Sequence, residues 1–200
     1  MTKWLFDRVV AFIALLVLSP LFLVIGICIA IDSRGGVFFV QQRMGRGAKP
    51  FGMLKFRSMR PFAEMQGKIT IGQRDPRVTR VGYFLRKYKL DELPQLINVL
   101  KADMSLVGPR PEVKDYVDLY TSEHRRVLEV RPGITDYASL HYFDESEMLA
   151  KSTDPHRTYV QEIMPAKLAL NLEYIKHRSF WEDIRVIALT LNRMIKADRG

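Results

Sequence analysis

The longest apolar segment of the chain lies close to its first residue. No charged residue occurs from Val9 to Ile31, a run of 23 residues. As a helix this run would extend roughly 34 Å, which is enough to cross the hydrocarbon core of a bilayer. The run is too long for the apolar core of a signal peptide, and no small-residue cleavage pattern follows it. The pattern therefore predicts a membrane segment.

Two features of this segment bear on how it enters the membrane. Ser19 and Pro20 lie at its centre, and basic residues flank both ends. These flanking residues are Lys3, Arg8, Arg34, Arg43 and Arg46. Basic flanks favour the cytoplasmic face, so both ends are expected there. A helix that enters, breaks at Ser19 and Pro20 and returns satisfies both features, because proline removes a backbone hydrogen bond and the serine hydroxyl can bind the freed carbonyl. A kinked helix that spans the bilayer is the alternative.

After the apolar run the pattern changes to short strands. Val37 to Gln42 and Phe51 to Met59 are rich in β-branched and aromatic residues and enclose a glycine-containing turn, which predicts a β-hairpin. Alternation along the second strand places Lys55 and Arg57 on one face. Two adjacent cations suit a diphosphate, although a solvated basic face on an edge strand is an equally good interpretation.

Helical periodicity dominates the rest of the chain. Helices are predicted after a Thr79 cap, from Asp91 to Leu100, from about Glu112, across Thr153 to Ser179 with an interruption at Pro165, and from Phe180 onward. Pro61 to Gln73 has no periodicity and is predicted to be a loop. The fold class is therefore expected to be α+β, mostly helical, with one small β-hairpin.

The composition narrows the class of partner. The 200 residues are 48% hydrophobic and 26% charged, which is typical of a folded domain. A net charge of +9 indicates an anionic partner, for which nucleic acid, anionic lipid and phosphorylated substrates compete. The one cysteine, Cys28, lies inside the apolar run, so neither an intrachain disulfide nor a zinc cluster can form. We therefore expect the polar part of the chain to be cytoplasmic.

The stretch from Arg86 to Pro111 concentrates the residues most suited to chemistry. Asp91 occupies the position of a helix N-cap, Glu92 follows it, and the free N–H groups of such a helix end favour anions. Arg86 precedes these carboxylates, and Arg110 follows between two prolines that stiffen its backbone. An ordinary helix start is the simpler interpretation of the acidic pair, but the surrounding cations favour a site.

Several blocks of the sequence resemble one known family. LDELPQLINVLKADMSLVGPRP at Leu90 to Pro111, KFRSM at Lys55 to Met59 and RPGIT at Arg131 to Thr135 resemble the bacterial sugar transferase family. The resemblance extends over nearly the whole chain, with the blocks in the same order. The family comprises monotopic polyprenyl-phosphate phosphoglycosyl transferases, which move a sugar phosphate from a UDP-sugar to a membrane polyprenyl phosphate and release UMP.

The resemblance implies a role for each candidate residue. Asp91 would attack the sugar-bearing phosphorus and form a covalent phosphosugar intermediate, and Asp91 and Glu92 would hold Mg²⁺. Substrate phosphates would contact Lys55, Arg57, Arg86 and Arg110, of which Arg110 is best suited to bidentate binding. The nucleotide would lie against Arg131, Pro132 and Gly133. Asp136 stands where many relatives have glycine, which leaves the nucleotide-sugar specificity open.

The resemblance also implies a location and partners. Residues 1–34 would form a re-entrant membrane helix, and residues 35–200 a catalytic domain on the cytoplasmic face of the bacterial inner membrane, the two making one functional unit. The substrates would be a UDP-sugar and undecaprenyl phosphate among the membrane lipids, with no nucleic acid partner, in the first membrane step of glycoconjugate assembly. Downstream glycosyltransferases and further copies of the chain are partners that the resemblance leaves open.

Two other interpretations of the sequence compete with this one. A membrane-tethered module that binds anions without chemistry would explain the net charge and the apolar segment. It would not explain why the acidic pair and Arg110 flank one short helix. A metal-dependent phosphohydrolase of lipid pyrophosphates would release free phosphate and need no acceptor lipid. The identity of the product distinguishes all three.

Overall fold

The computed structural model describes residues 2–63 and 75–196. Within these ranges the α-helices are α1 (Thr2–Asp32), α2 (Arg80–Lys87), α3 (Gln95–Leu100), α4 (Lys114–Val117), α5 (Tyr137–His141), α6 (Glu145–Ala150), α7 (Pro155–Thr158), α8 (Met164–His177) and α9 (Phe180–Lys196). The strands are β1 (Phe38–Met44), β2 (Pro50–Phe56), β3 (Ser105–Val107) and β4 (Gly133–Thr135). The predicted loop from Pro61 to Gln73 lies mostly outside the described residues.

The strands form two separate pairs. β1 and β2 are antiparallel, with Phe38 opposite Phe56 and Met44 opposite Pro50, which confirms the predicted hairpin. β3 and β4 are parallel, and Ser105 lies opposite Gly133. The second pair was not predicted, because strands of three residues are too short to show a period. The α+β class with mostly helical content is confirmed.

Both halves of helix α1 pack against the polar domain, which comprises the described residues after the helix (33–63 and 75–196). In the first half Ala11 is fully buried in a core that includes Val99 of α3 and Val186 of α9. In the second half Ile25 and Ile29 pack in a different core with residues of β2 and α2. The opposite side of the helix exposes a row of large apolar side chains. Among the described residues, α1 is the one helix long and apolar enough to cross a membrane.

The predicted break at Ser19 and Pro20 needs correction, because α1 is helical without interruption through both residues. Pro20 has no N–H to donate to the Leu16 carbonyl four residues earlier. The Ser19 hydroxyl donates to that carbonyl instead, at 2.8 Å. The expected hydrogen bond from the serine hydroxyl is therefore present. It satisfies the carbonyl that the proline leaves free and keeps the last turn before the proline helical.

Polar contacts fasten both ends of α1 to the rest of the molecule. Near the first residue, Lys3 pairs with Asp183 of α9 at 2.5 Å. The Ser105 hydroxyl donates to the buried Asp7 carboxylate at 2.5 Å. At the other end, the Val81 N–H donates to the Asp32 carboxylate at 2.9 Å. The two ends of the apolar helix therefore contact the same polar domain.

The predicted helix from Thr153 to Ser179 is present in a modified form. Helices α7 and α8 are joined by a π-helical segment, Tyr159–Ile163, and Pro165 lies in the first turn of α8. Pro165 has no N–H to donate to the preceding turn, and the π segment ends two residues before it. Tyr159 and Ile163 are buried in a core with Leu168 of α8. The wider π turn thus precedes the proline and replaces the interruption that was predicted at it.

Candidate active site

A cavity of about 380 Å³ opens beside the acidic pair. Residues from the hairpin, from α2, from the loop before α4 and from α5, α6, α8 and α9 line it, so it exists only in the assembled fold. The lining includes ten charged side chains: Arg43, Lys55, Arg86, Lys89, Asp91, Glu92, Arg110, Glu112, Glu145 and Lys167. Seven residues between Arg86 and Gly133 were predicted to be catalytic, to bind phosphate or to contact the nucleotide. The cavity brings four of them together: Arg86, Asp91, Glu92 and Arg110.

The acidic pair lies in a single 3₁₀ turn, Leu90–Glu92, and not at the start of an α-helix. The predicted N-cap position of Asp91 is therefore wrong, because α3 begins at Gln95, directly after Pro94. Pro94 cannot donate to the Leu90 carbonyl, which accepts from the Leu93 N–H at 3.2 Å instead. The chain closes one tight turn before α3 begins, and this turn sets the direction of the two carboxylates.

Glu92 is held by two cations. Both terminal nitrogens of Arg110 donate to its two carboxylate oxygens, one of them at 3.0 Å. Lys55 of β2 donates to the same carboxylate at 3.3 Å. Burial alone would raise the pKa of Glu92, but Arg110 and Lys55 outweigh it and hold the pKa well below its usual range. Glu92 is therefore an ionised, fixed carboxylate.

Asp91 has a different environment from its neighbour. The side chain lines the cavity and the residue is 6% exposed, yet within the described ranges no group donates a hydrogen bond to its carboxylate. Burial and the adjacent Glu92 charge raise the pKa of Asp91, against the opposing effect of Lys55, Arg86 and Lys89. Such a carboxylate is more basic than usual and not already committed to a protein donor. These are properties of a nucleophile or of a metal ligand.

Arg110 is positioned by a residue that the sequence analysis noted only as a departure from the family. Asp136 is fully buried, and its carboxylate accepts from the Arg110 backbone N–H at 3.0 Å and from the Ser139 N–H at 2.6 Å. The second bond caps α5, for which an aspartate before a helix was the available sequence signal. One side chain therefore fixes both the start of α5 and the loop that carries Arg110, the arginine loop.

The arginine loop is also held by a close approach of two backbones. The Gly133 N–H donates to the Pro109 carbonyl at 3.0 Å. A Cβ at Gly133 would lie 2.1 Å from the Gly108 nitrogen, so only glycine fits. In this structure Pro132 and Gly133 are buried in the junction that joins β3 to β4. Neither they nor Arg131 line the cavity, and their predicted contact with the nucleotide stays a prediction.

Arg57 is also placed away from the acidic pair. One terminal nitrogen donates to the Ser33 carbonyl at 2.7 Å and to the Ser33 hydroxyl at 3.1 Å. A Cβ at Gly35 would lie 2.3 Å from the other terminal nitrogen. The side chain thus fixes the segment between α1 and β1, and it does not line the cavity with Lys55. Its predicted phosphate contact stays a prediction.

The wall of the cavity farther along the fold holds charged residues that the sequence analysis did not select. Arg43 pairs with Glu112 at 3.1 Å, and the Tyr159 hydroxyl donates to the same glutamate at 2.5 Å. Lys167 pairs with Glu145 at 2.7 Å. These partners are far apart in the sequence, so no local pattern links them. Together they form a polar wall of paired charges.

The donor set permits some metals and not others. The described residues contain no group of three or more His, Cys, Asp or Glu side chains that could hold a metal ion. A tetrahedral structural metal therefore finds no site in this part of the chain. Mg²⁺ commonly takes one or two carboxylates and completes its shell with water and substrate phosphate, which Asp91 fits. Both oxygens of Glu92 already accept from cations, so Asp91 is the better placed ligand.

The chain is similar to proteins of one family. The sequence matches the family model described as bacterial sugar transferase over residues 1–197. The chain belongs to the bacterial sugar transferase family. A UDP-glucose:undecaprenyl-phosphate glucose-1-phosphate transferase of Xanthomonas campestris pv. campestris is similar to it, with 40% identity over an alignment of 197 positions that covers 96% of this chain and 38% of that protein.

Two other relatives in this family are closer in length. A UDP-glucose:undecaprenyl-phosphate glucose-1-phosphate transferase of Caulobacter vibrioides is 33% identical, over 99% of this chain and 71% of that protein. An uncharacterised sugar transferase of Bacillus subtilis is 34% identical, over 98% of this chain and 88% of that protein. Three further matches are longer proteins, of which this chain spans between 36% and 42%.

Proposed function

We propose that this sugar transferase moves a sugar 1-phosphate from a UDP-sugar to undecaprenyl phosphate and releases UMP. The observation that carries the proposal is the asymmetry of the acidic pair: Glu92 is fixed by Arg110 and Lys55, whereas Asp91 faces the cavity without a donor. The names of the similar proteins support the same substrates, since several are UDP-glucose:undecaprenyl-phosphate glucose-1-phosphate transferases.

The reaction takes two displacements at one phosphorus. A carboxylate oxygen of Asp91 attacks the sugar-bearing β-phosphorus, the bond from that phosphorus to the bridging oxygen breaks, and the electron pair leaves with UMP. A phosphate oxygen of the polyprenyl phosphate then attacks the same phosphorus, and the Asp91 carboxylate is released. Covalent catalysis by carboxylates splits one difficult transfer into two easier ones. The raised pKa of Asp91 makes its ionised form a better nucleophile.

The surrounding residues deal with the negative charge of both substrates. Glu92 keeps Arg110 and Lys55 in place beside the reacting oxygens, and fixed cations stabilise charge that develops in the transition state. Bound Mg²⁺, held by Asp91, would supply further neutralisation of phosphate charge. Burial lowers the pKa of Lys55, but the Glu92 charge opposes that change and favours the protonated form.

We further propose that α1 lies at the cytoplasmic face of the membrane, with both of its ends on that side. The support is that Lys3 and Asp7 at one end and Asp32 at the other all bind the same polar domain. A helix that crossed the bilayer would place these ends on opposite sides, which one compact polar domain cannot contact. The exposed apolar row of α1 then faces the lipid, in agreement with an interfacial position.

The reaction is tested with purified membrane-extracted protein, Mg²⁺, undecaprenyl phosphate and a panel of UDP-sugars. We expect release of UMP that depends on one UDP-sugar, and intact-mass analysis without acceptor should show a phosphosugar adduct on the protein. Asp91→Asn should fold with an unchanged melting temperature and lose both signals, because a neutral amide is a poor nucleophile. Release of free phosphate without acceptor would indicate a phosphohydrolase instead.

The topology is tested by labelling with a membrane-impermeant maleimide on intact cells. In a Cys28→Ala background, a cysteine replacing Thr2 should be protected, as should a control cysteine replacing the exposed Lys176 of α8. Replacing Ser19 and Pro20 by alanine restores the backbone bond that the proline lacks and should favour a spanning helix, so that the Thr2→Cys label appears. Strong labelling of Thr2→Cys with the native helix would contradict the one-sided arrangement.

A further inference from the structure

The cations that line the cavity divide into two groups. Four of them have a carboxylate partner: Lys55 and Arg110 share Glu92, Arg43 pairs with Glu112, and Lys167 pairs with Glu145. The other two, Arg86 and Lys89, have no acidic partner within 4.0 Å among the residues that the structure describes. They flank the acidic turn, since Arg86 lies in the last turn of α2 and Lys89 directly precedes Leu90. Both are close enough to Asp91 to lower its pKa.

These two cations also line a small notch that adjoins the cavity. The notch has a volume of about 70 Å³, and Phe143 and Ser146 line both spaces. One water molecule needs about 10–15 Å³ of such space, so the notch has room for a small anionic group of phosphate size. Its one acidic lining residue, Asp144, pairs with Arg193 outside it at 3.0 Å.

Lys89 is held in the notch by neutral groups only. Its ammonium lies 3.4 Å from the Phe143 carbonyl oxygen and 4.8 Å from the centre of the Phe143 ring. The Lys89 backbone has a φ of 55°, a left-handed conformation that is uncommon for a lysine. An anion can replace the weak carbonyl contact without breaking an ion pair, which is not true of Lys55 or Arg110. The fold therefore keeps Arg86 and Lys89 available for a negatively charged ligand.

Both displacement steps of the proposed function need a group that binds phosphate on the side of the phosphorus opposite Asp91. In an in-line displacement the attacking and leaving oxygens lie on opposite sides of the phosphorus. UMP leaves opposite Asp91 in the first step, and the acceptor phosphate must attack opposite Asp91 in the second. We propose that Arg86 and Lys89 form one phosphate subsite that holds the phosphate of UMP first and the phosphate of the polyprenyl acceptor afterwards. The proposal rests on the covalent mechanism described above.

The experiment measures each half-reaction separately in the full-length protein. The first is exchange of labelled UMP into the UDP-sugar, and the second is transfer from the isolated adduct to undecaprenyl phosphate. Lys89→Gln and Arg86→Gln should each slow both half-reactions by about 10-fold, which corresponds to the loss of one charge-assisted hydrogen bond. The double variant should lose less than about 100-fold, because both cations contact one phosphate. Lys89→Arg should keep most of the rate, and the control Lys176→Gln, an exposed change of equal charge, should keep all of it.

A direct binding measurement separates this proposal from the proposed function. Calorimetry should show UMP binding about 10-fold more weakly to Lys89→Gln than to the native protein, and uridine binding equally to both. Unchanged UMP binding and unchanged half-reactions would overturn the subsite, and so would an effect confined to one half-reaction. If the native protein forms no adduct, the proposed function fails, and the UMP measurement still decides whether the subsite exists. Equal melting temperatures show that a lost rate does not reflect unfolding.

Discussion

The ion pair between Arg110 and Glu92 offers the most discriminating test of the site. The two side chains are only 24% and 16% exposed, and the arginine binds both carboxylate oxygens. Solvent therefore screens the pair only weakly, and the two charges interact strongly. Two unit charges at this separation interact by about 5 kcal/mol at an effective dielectric constant of ~20. Breaking a buried pair by removing one partner typically costs about 3–5 kcal/mol. Lys55 remains beside Glu92 and compensates in part, so we expect about 3 kcal/mol for Arg110→Met.

The assay is thermal unfolding of the single variants Arg110→Met and Glu92→Gln and of the double variant, in one detergent and at one scan rate. For a chain of this length, 3 kcal/mol corresponds to a drop of about 6–12 °C in melting temperature. Each single variant leaves an uncompensated buried charge, whereas the double variant leaves neither charge of the pair. The double variant should therefore be more stable than the sum of the single effects by about 3 kcal/mol.

The opposite result is equally informative. If the two single effects add fully in the double variant, Arg110 and Glu92 do not interact, and the assignment of Arg110 to the acidic pair is wrong. A matched control is the exposed pair of Lys114 and Asp118, whose side chains are 69% and 54% exposed. Its double-mutant cycle should give a coupling of at most about 0.5 kcal/mol, because exposed pairs on a helix contribute little.

Three further outcomes are expected. The rate of UMP exchange should fall as the pH falls through the pKa of Asp91, which is raised above its ordinary 3.8. In Glu92→Gln this fall in rate should move to lower pH, because the change removes a neighbouring negative charge and frees two cations. Asp136→Ala should lower the unfolding free energy by about 2–4 kcal/mol, the sum of a lost helix cap and an orphaned backbone N–H, as measured by denaturant titration. Gly133→Ala should cost at least about 3 kcal/mol through its clash with the neighbouring backbone, whereas Gly36→Ala, whose Cβ would meet its nearest atom at 3.6 Å, should melt like the native protein.

Local patterns in the sequence were enough for several elements. The apolar run that became α1, the hairpin of β1 and β2 and the Thr79 cap of α2 were all predicted, and the Thr79 hydroxyl accepts from the Gly82 N–H at 2.9 Å. Each of these depends on side-chain periodicity or on a capping residue within a few positions. The acidic pair was also found from its sequence context, although its backbone is a 3₁₀ turn and not a helix start.

The partners of the cations were decided by the tertiary structure. Lys55 and Arg57 are two residues apart, yet Lys55 reaches Glu92 and Arg57 reaches Ser33. Strand alternation gives the face on which each side chain begins, but a long side chain ends on whichever group the packed neighbours bring within reach. The sequence by itself determined the long apolar helix, the hairpin and the adjacency of the two carboxylates. Only the fold decided that Arg110 would hold Glu92 and leave Asp91 without a donor, because that choice depends on the β3 and β4 pairing and on buried Asp136.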